Sequence, residues 1–403
     1  MNAHSVELVV RLPELHPGQQ AAIREAKRLN VLACGRRWGK TVLGMDLAIR
    51  TMLDGFPVAW AAPHYKFLAE PFREMRDTLG QVVQRASLEE HRLELATGGS
   101  LDGWTLGDVN LGRGRKYKLW VVDEAAIAPD LASAFAESIR PTLVDLAGGA
   151  WLLSTPKRRN FFWECYRRGQ DPNEAEWQSW QMPTASNPFI SPIEIDAARQ
   201  SMTSHQFAQE FLSEFIQDES AVFRNVEECI GVASPAKPAD GRTYLAGVDL
   251  ARLHDYTVVT VVDDQGRQVC LDRFRHTSWE QAVSRVAELC RRYRATAIVD
   301  ATGIGDPIVE QIRNSGVRVV AFKFNSANKE ALIQALALKL EQKRIYLLPD
   351  PIQLAELQAY SVESTKSGNL RFGAPPGGHD DCVIALALAA SQLDATSMTV
   401  FIP

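Results

Sequence analysis

Short apolar runs closed by glycine, proline or acid, alternating with helical patterns, recur along this chain. Residues 30–33, 58–62, 119–122 and 150–153 are such runs in the first half. Residues 244–250, 257–262, 268–274, 297–300 and 317–322 are their counterparts in the second. Strands that alternate with helices predict an α/β fold with largely parallel sheets covered by helices. Helices are expected at 17–29, 40–53, 191 onward and 204–215, then at 278–294, 307–314, 329–343 and 379–393. Hairpins are expected at 93–106, around Thr97-Gly98-Gly99-Ser100, and at 360–372, around Ser367-Gly368-Asn369. The Pro/Ala/Gly-rich stretch 233–241 reads as a boundary, so 403 residues divide into two domains, 1–218 and 242–403, joined by a linker at 219–241.

Composition narrows the class. At 46% hydrophobic and 23% charged residues the chain has enough apolar surface to build cores, which excludes an intrinsically disordered protein. With a net charge of −5, any contact with a polyanion must come from local basic patches. No apolar run is long enough to cross a bilayer, and the first residues lack the basic flank and apolar core of a signal peptide. The six cysteines, at 34, 165, 229, 270, 290 and 382, contain no C-x-x-C pair. That spacing argues against a zinc knuckle or a disulfide framework, and a reducing, cytoplasmic setting is expected.

Cys34-Gly35-Arg36-Arg37-Trp38-Gly39-Lys40-Thr41 lies between an expected strand and an expected helix. That context suits a phosphate loop: backbone N–H groups cradle phosphates, a lysine reaches the terminal oxygens and a hydroxyl holds Mg²⁺. Cys34 stands where the pattern has its first glycine, and Gly35 could supply the tight turn; alone, the motif could also be a plain strand–helix turn. Downstream, Leu119-Trp120-Val121-Val122 ends in Asp123-Glu124, the acid pair that such a loop needs for Mg²⁺ and for polarising water. Ser154-Thr155-Pro156 closes the next strand and is placed to sense the γ-phosphate, or simply ends the strand. Arg36 and Arg37 lie in the loop, and Arg113 lies in Gly112-Arg113-Gly114-Arg115 ahead of the acidic strand. Any of them could stabilise phosphoryl charge; Arg113 could equally belong to a solvated or DNA-contacting loop. Gln19 either reads an adenine edge or is a polar helix residue.

A second constellation occupies the other half. Asp249 sits in the apolar run Ala246-Gly247-Val248-Asp249-Leu250, where a carboxylate is costly unless paired or ligating a metal. Asp300 ends another strand, and Asp380 and Asp381 open the apolar final helix. Acids from a first strand, a later strand and a C-terminal helix form the layout of ribonuclease-H-like nucleases, in which carboxylates clamp two Mg²⁺ or Mn²⁺ ions. Asp381 is favoured over Asp380, although both could be favourable charges at a helix N-terminus. His379 reads as a neighbour of the cap, Asp255 as part of a turn or an outer ligand, and Asp306 as an N-cap. Lys157-Arg158-Arg159 and Arg291-Arg292-Tyr293-Arg294 are the densest basic runs, each either a DNA contact or a solvated surface.

In order, G-R-R-W-G-K-T, D-E-A-A, S-T-P, F-A-Q-E-F-L-S-E-F, G-V-D, V-D-A-T-G and H-D-D resemble the large terminase subunit of tailed bacteriophages across nearly the whole chain. The resemblance implies an ASCE-type P-loop ATPase domain followed by a ribonuclease-H-like nuclease domain. It implies a motor that packages double-stranded DNA into a procapsid in the infected host's cytoplasm, as a ring of subunits, commonly five, on the portal protein, with a small terminase subunit as partner. It further implies ATP and Mg²⁺ held by Lys40, Thr41 and Asp123, with Glu124 as base, Ser154 and Thr155 as couplers, and Arg113 acting on a neighbour's ATP. Asp249, Asp300 and Asp381 would hold the nuclease Mg²⁺ or Mn²⁺. A repair helicase–nuclease would need a second motor domain where the carboxylates lie, and a nucleotide-gated binding switch would not need Lys40, Glu124 and the acids intact.

Overall fold

The computed structural model describes residues 9–108, 111–128, 130–216, 221–250, 256–275, 278–302, 306–364, 370–375 and 377–393. Asp255, the turn at Ser367-Gly368-Asn369 and the tail Asp394–Pro403 lie outside them. The chain forms two compact units that divide between Gln217 and Asp218.

The first unit opens with α1 (Pro17–Arg24), β1 (Leu29–Cys34), α2 (Lys40–Leu53), β2 (Pro57–Ala62) and α3 (Tyr65–Leu79). Next come β3 (Val83–Ser87), β4 (Arg92–Leu95), β5 (Ser100–Thr105) and β6 (Leu119–Asp123). Two short helices, α4 (Leu131–Ala134) and α5 (Arg140–Thr142), precede β7 (Gly149–Ser154), α6 (Phe161–Gln170), β8 (Trp177–Met182), α7 (Pro192–Ser201) and α8 (Ser204–Glu210). The sheet order is β3-β4-β5-β2-β6-β7-β1-β8, parallel from β5 to β8. Because β7 intervenes between β1 and β6, the loop strand and the acid strand are not neighbours. Register pairs Ala33 with Ser154 and Asp123 with Leu153, which brings the carboxyl ends of all three strands together. Buried side chains such as Leu43, Met52, Trp60 and Leu153 pack on one face and Val31, Ala61, Trp120 and Val122 on the other. Helix α8 stops at Glu210, short of the expected Phe215. The backbone N–H groups of Arg36 and Thr184 take the Glu210 and Phe211 carbonyls, at 2.6 and 2.7 Å.

In the second unit, β9 (Tyr244–Asp249), β10 (Thr257–Asp263) and β11 (Gln268–Phe274) form an antiparallel meander. Then follow α9 (Trp279–Tyr293), β12 (Thr296–Asp300), α10 (Asp306–Asn314), β13 (Val319–Phe322), α11 (Ser326–Glu341), α12 (Pro351–Ala359), the hairpin β14 (Ser361–Ser364) and β15 (Leu370–Gly373), and α13 (Asp381–Ala390). The sheet order is β11-β10-β9-β12-β13, with β12 and β13 parallel to β9. Residues from the expected linker, Phe223, Val226 and Cys229, are buried in this unit's core with Leu336, Leu357 and Tyr360. Val226 and Cys229, three residues apart, fall on one side of a short 3-10 turn, which draws that stretch inward. Helix α13 is apolar all round and buried along its length, as a helix seated on the middle of a sheet must be. It lies so close to β9 that a Cβ at Gly247 would strike the Ala385 carbonyl and the Ala389 N–H, so only glycine admits the helix at this distance.

Candidate active sites

The loop between β1 and α2 is fastened from outside. Gln19 donates to the Gly39 carbonyl at 2.8 Å and accepts from the His16 N–H at 2.9 Å. A His16 ring nitrogen lies 2.9 Å from the Trp38 carbonyl. Asn187 donates to the Arg37 carbonyl at 2.8 Å, Thr184 to the Arg36 carbonyl at 2.7 Å, and Trp38 to Ser186 at 2.8 Å. With loop carbonyls held this way, the backbone is fixed before any ligand arrives. Gly39, at φ +99°, adopts a conformation that favours glycine, and a Cβ there would meet the Gln19 amide. Gly35 has no room for a Cβ against Thr184 and the Phe211 carbonyl, while Cys34 is buried in β1. The tight approach therefore belongs to Gly35, and the departure at Cys34 costs the loop nothing visible. Gln19 is 2% exposed and spends its amide on the loop, which makes it a brace in this structure. His16, Thr184, Ser186 and Asn187 escaped the sequence reading. Thr184 and Asn187 act from positions 148 and 150 residues away, with no local signal beyond a polar cluster after β8.

At the carboxyl ends of β1, β6 and β7, Lys40 Nζ lies 3.0 Å from Glu124 Oε1. Thr41 Oγ1 donates to Asp123 Oδ2 at 3.0 Å, and Ser154 Oγ stands 3.5 Å from Glu124 Oε2. Burial alone would lower the Lys40 ammonium; Glu124 and Asp123 outweigh it and hold it above the ordinary lysine value. Burial pushes the Asp123 carboxyl up to about 6, with Lys40 opposing and Glu124 adding to the rise. Glu124 sits at φ +53°, a left-handed backbone that costs a non-glycine residue on the order of 1 kcal/mol or more. That turn aims its carboxylate back at the loop. Thr155 is buried beside Ser154. Arg37 is exposed, and Arg36 is exposed and paired with Glu210. Arg113 is exposed between two glycines of positive φ, and no contact among the described residues joins it to Lys40, Asp123 or Glu124. Asp123 and Thr41 supply hard oxygen donors close to Lys40, a set that fits Mg²⁺.

In the second unit, Asp249 and Asp300 end the adjacent parallel strands β9 and β12, whose register pairs Val248 with Val299. Asp380 and Asp381 open α13 above them. Burial raises the Asp249 carboxyl well above its ordinary value, and Asp381, Asp300 and Asp380 raise it further, against the Lys329 ammonium. A cation would favour the ionised form of Asp249 among its three acidic neighbours, and the hard oxygens of the four fit Mg²⁺ or Mn²⁺. Among the described residues no three such side chains already close on a common point. Lys329 Nζ lies 3.4 Å from Asp380, and His379 Nδ1 lies 3.7 Å from Asp381 Oδ2. Asp300 accepts from the Thr302 N–H at 2.7 Å, and the Cys382 N–H donates to Glu356 at 2.8 Å, which sets strand end and helix start. Lys329 and Glu356 were not singled out in the sequence, where nothing separates them from ordinary helix charges. Of the basic runs, Lys157 is bound to Glu210 and Gln209, Arg159 covers the Trp163 ring, and Arg291 and Arg292 are exposed on α9.

Fold and sites together define a two-part protein: an ASCE-type P-loop ATPase fold, with the extra strand β7 between loop strand and acid strand, joined to a ribonuclease-H-like nuclease fold. No protein-family model matches the chain. It is 30% identical over 316 residues to the terminase large subunit of Thermus virus P23-45, covering 70% of this chain and 63% of that protein. It is 26% identical over 251 residues to that of Escherichia phage T5, covering 60% and 57%. A solved large terminase from a thermophilic bacteriophage matches 92% of this chain and 97% of its own at 14% identity and a TM-score of 0.52, a likeness of fold. Its curated homologues are thus large terminase subunits of phages. It spans less than two thirds of the length of these curated relatives. Among the described residues, no helix is long and apolar enough to cross a membrane.

Proposed function

We propose that the chain is a DNA-packaging motor: it hydrolyses ATP to move double-stranded DNA into a procapsid and cuts the concatemeric genome with a metal-dependent endonuclease. The observation that carries this is the pairing, in one chain, of a braced phosphate loop facing Glu124 with a four-carboxylate cluster built on a separate sheet. In the ATPase, the loop N–H groups and Lys40 hold the triphosphate, while Thr41 and Asp123 hold Mg²⁺. Lys40 turning to phosphate releases Glu124, which then takes the proton of the attacking water. Ser154 and Thr155 link the site to β7. Arg113, exposed ahead of β6, reaches a neighbouring subunit's ATP in a homo-oligomeric ring, a pentamer on the portal protein.

In the nuclease, Asp249, Asp300 and Asp381, with Asp380 beside them, hold two Mg²⁺ or Mn²⁺ ions. Bound ions supply charge neutralisation at the phosphodiester and activation of water. The protein's part is to fix the acids at adjoining strand ends and to seat α13 against β9. DNA is gripped through its phosphates, without base reading. The small terminase subunit is the further partner, and the setting is the cytoplasm of the infected bacterium. The test is to incubate purified protein with plasmid and Mn²⁺ and, separately, with ATP, Mg²⁺ and DNA. Cutting lost in Asp300→Ala and turnover lost in Lys40→Ala are expected. Cutting by Asp300→Ala at the wild-type rate would overturn the nuclease assignment, and turnover by Lys40→Ala would overturn the motor.

A further inference from the structure

Asp380 occupies the N-cap of α13: its carbonyl accepts the Ile384 N–H at 2.9 Å, the first bond of the helix. An aspartate at that position ordinarily turns its side chain onto a backbone N–H two or three residues on. Among the described residues Asp380 makes no such bond, and its carboxylate instead faces Lys329 Nζ at 3.4 Å. The Cys382 N–H, two residues on, is taken by Glu356 Oε2 of α12 at 2.8 Å. Glu356 is 8% exposed, and among the described residues its other oxygen has no hydrogen-bond partner. An Arg273 guanidinium nitrogen lies 3.6 Å from that oxygen, and the guanidinium covers the Tyr256 ring at 3.2 Å from its centroid. Tyr256 in turn meets the His379 ring edge-on, with centroids 5.5 Å apart.

We propose that Glu356 is a positioning residue of the nuclease: it caps α13 from a neighbouring helix, in place of Asp380, and so keeps the Asp380 carboxylate available to the metal ions. This rests on reading the carboxylate cluster as a metal site. The two uses of Asp380 compete for one side chain. The rotamer that reaches the Cys382 N–H folds the carboxylate back on its own helix, whereas the observed one extends it to Lys329. A helix capped by its own aspartate would need no second acid. Burying Glu356 carries a desolvation cost that a single arginine at 3.6 Å offsets only in part. The arrangement is accounted for once Asp380 has a second use. Arg273, Tyr256 and His379 close a chain of contacts that returns to the helix start, since His379 immediately precedes Asp380.

The test is Mn²⁺ binding to the full chain, without nucleotide or DNA, by electron paramagnetic resonance titration. The sites lost in Asp300→Ala are those of the nuclease. Glu356→Ala removes the cap and lets Asp380 take it over, so these sites should weaken about fivefold, the scale of one lost helix cap. Glu356→Gln keeps an acceptor for the Cys382 N–H and should bind Mn²⁺ within about twofold of wild type. In an Asp380→Asn background Glu356→Ala should cost no further affinity, because the carboxylate it diverts is gone; a merely structural role would weaken binding there as well. Wild-type affinity in Glu356→Ala, no recovery in Glu356→Gln, or an equal loss in the Asp380→Asn background would overturn the proposal. If Glu356→Ala fails to fold, Glu356→Asp takes its place: it keeps the charge, draws the acceptor back by one methylene and should lose the same affinity, and wild-type binding there would overturn the proposal. Mn²⁺ binding unchanged by Asp300→Ala overturns the metal site itself, whereas binding lost there but retained in Glu356→Ala overturns only the role of Glu356.

Discussion

Replacing Glu124 with Gln removes one charge from a pair whose geometry is defined. Lys40 Nζ and Glu124 Oε1 are 3.0 Å apart, with side chains 12% and 24% exposed. At an effective dielectric constant of about 20 their attraction is roughly 5–6 kcal/mol before desolvation is counted. Desolvation and screening leave a net on the order of 1–2 kcal/mol. In the free protein that energy holds Lys40 on Glu124, and a triphosphate must displace it. The Gln variant should therefore bind Mg²⁺-AMP-PNP more tightly, by up to about tenfold. Its turnover should fall by about 10²–10⁴, the usual contribution of a positioned general base. Equilibrium titration with AMP-PNP and steady-state phosphate release measure the two effects on the same preparation. Turnover within threefold of wild type would remove Glu124 from the chemistry. Weaker nucleotide binding would show that the pair assists the loop rather than competing with the ligand.

The carboxylate cluster and the loop braces give further expectations. Asp249→Asn should abolish Mn²⁺-dependent cutting of plasmid. Measured in EDTA, it should also raise the melting temperature of the second unit, because the acid that feels Asp300, Asp380 and Asp381 most is gone; a lowered melting temperature would contradict the repulsion. Asn187→Ala leaves the Arg37 carbonyl without its side-chain donor, a loss of about 1–3 kcal/mol. KM for ATP should rise about tenfold while plasmid cutting stays at the wild-type level; an unchanged KM would mean the loop needs no brace there.

What could be read from the sequence is what chemistry forces into short, local patterns. The Gly35–Thr41 loop, Asp123-Glu124 at a strand end, and Asp249 inside an apolar run each combine residue types that folding alone would not favour. The strands of the second unit followed, since β9 to β11 are short apolar runs separated by turns. Elements without such a signature were passed over. Helix α3 carries Pro71 within it, and β8 repeats Trp-Gln at a three-residue spacing, Trp177-Gln178 and Trp180-Gln181, rather than the two-residue alternation of a strand. No helix is expected at 351–359 either, although Asp350 caps α12 through the Ile352 and Gln353 N–H groups and Pro351 is its first residue. The braces were hidden for another reason. Thr184 and Asn187 bond carbonyls nearly 150 residues away, and that partnership exists only once β8 lies beside β1. Pre-organisation of the phosphate loop is thus a product of the sheet order rather than of the loop's own sequence. The loop can depart from its pattern at Cys34 because the restraint that a glycine would have allowed for is supplied by Gly35, Thr184 and the end of α8.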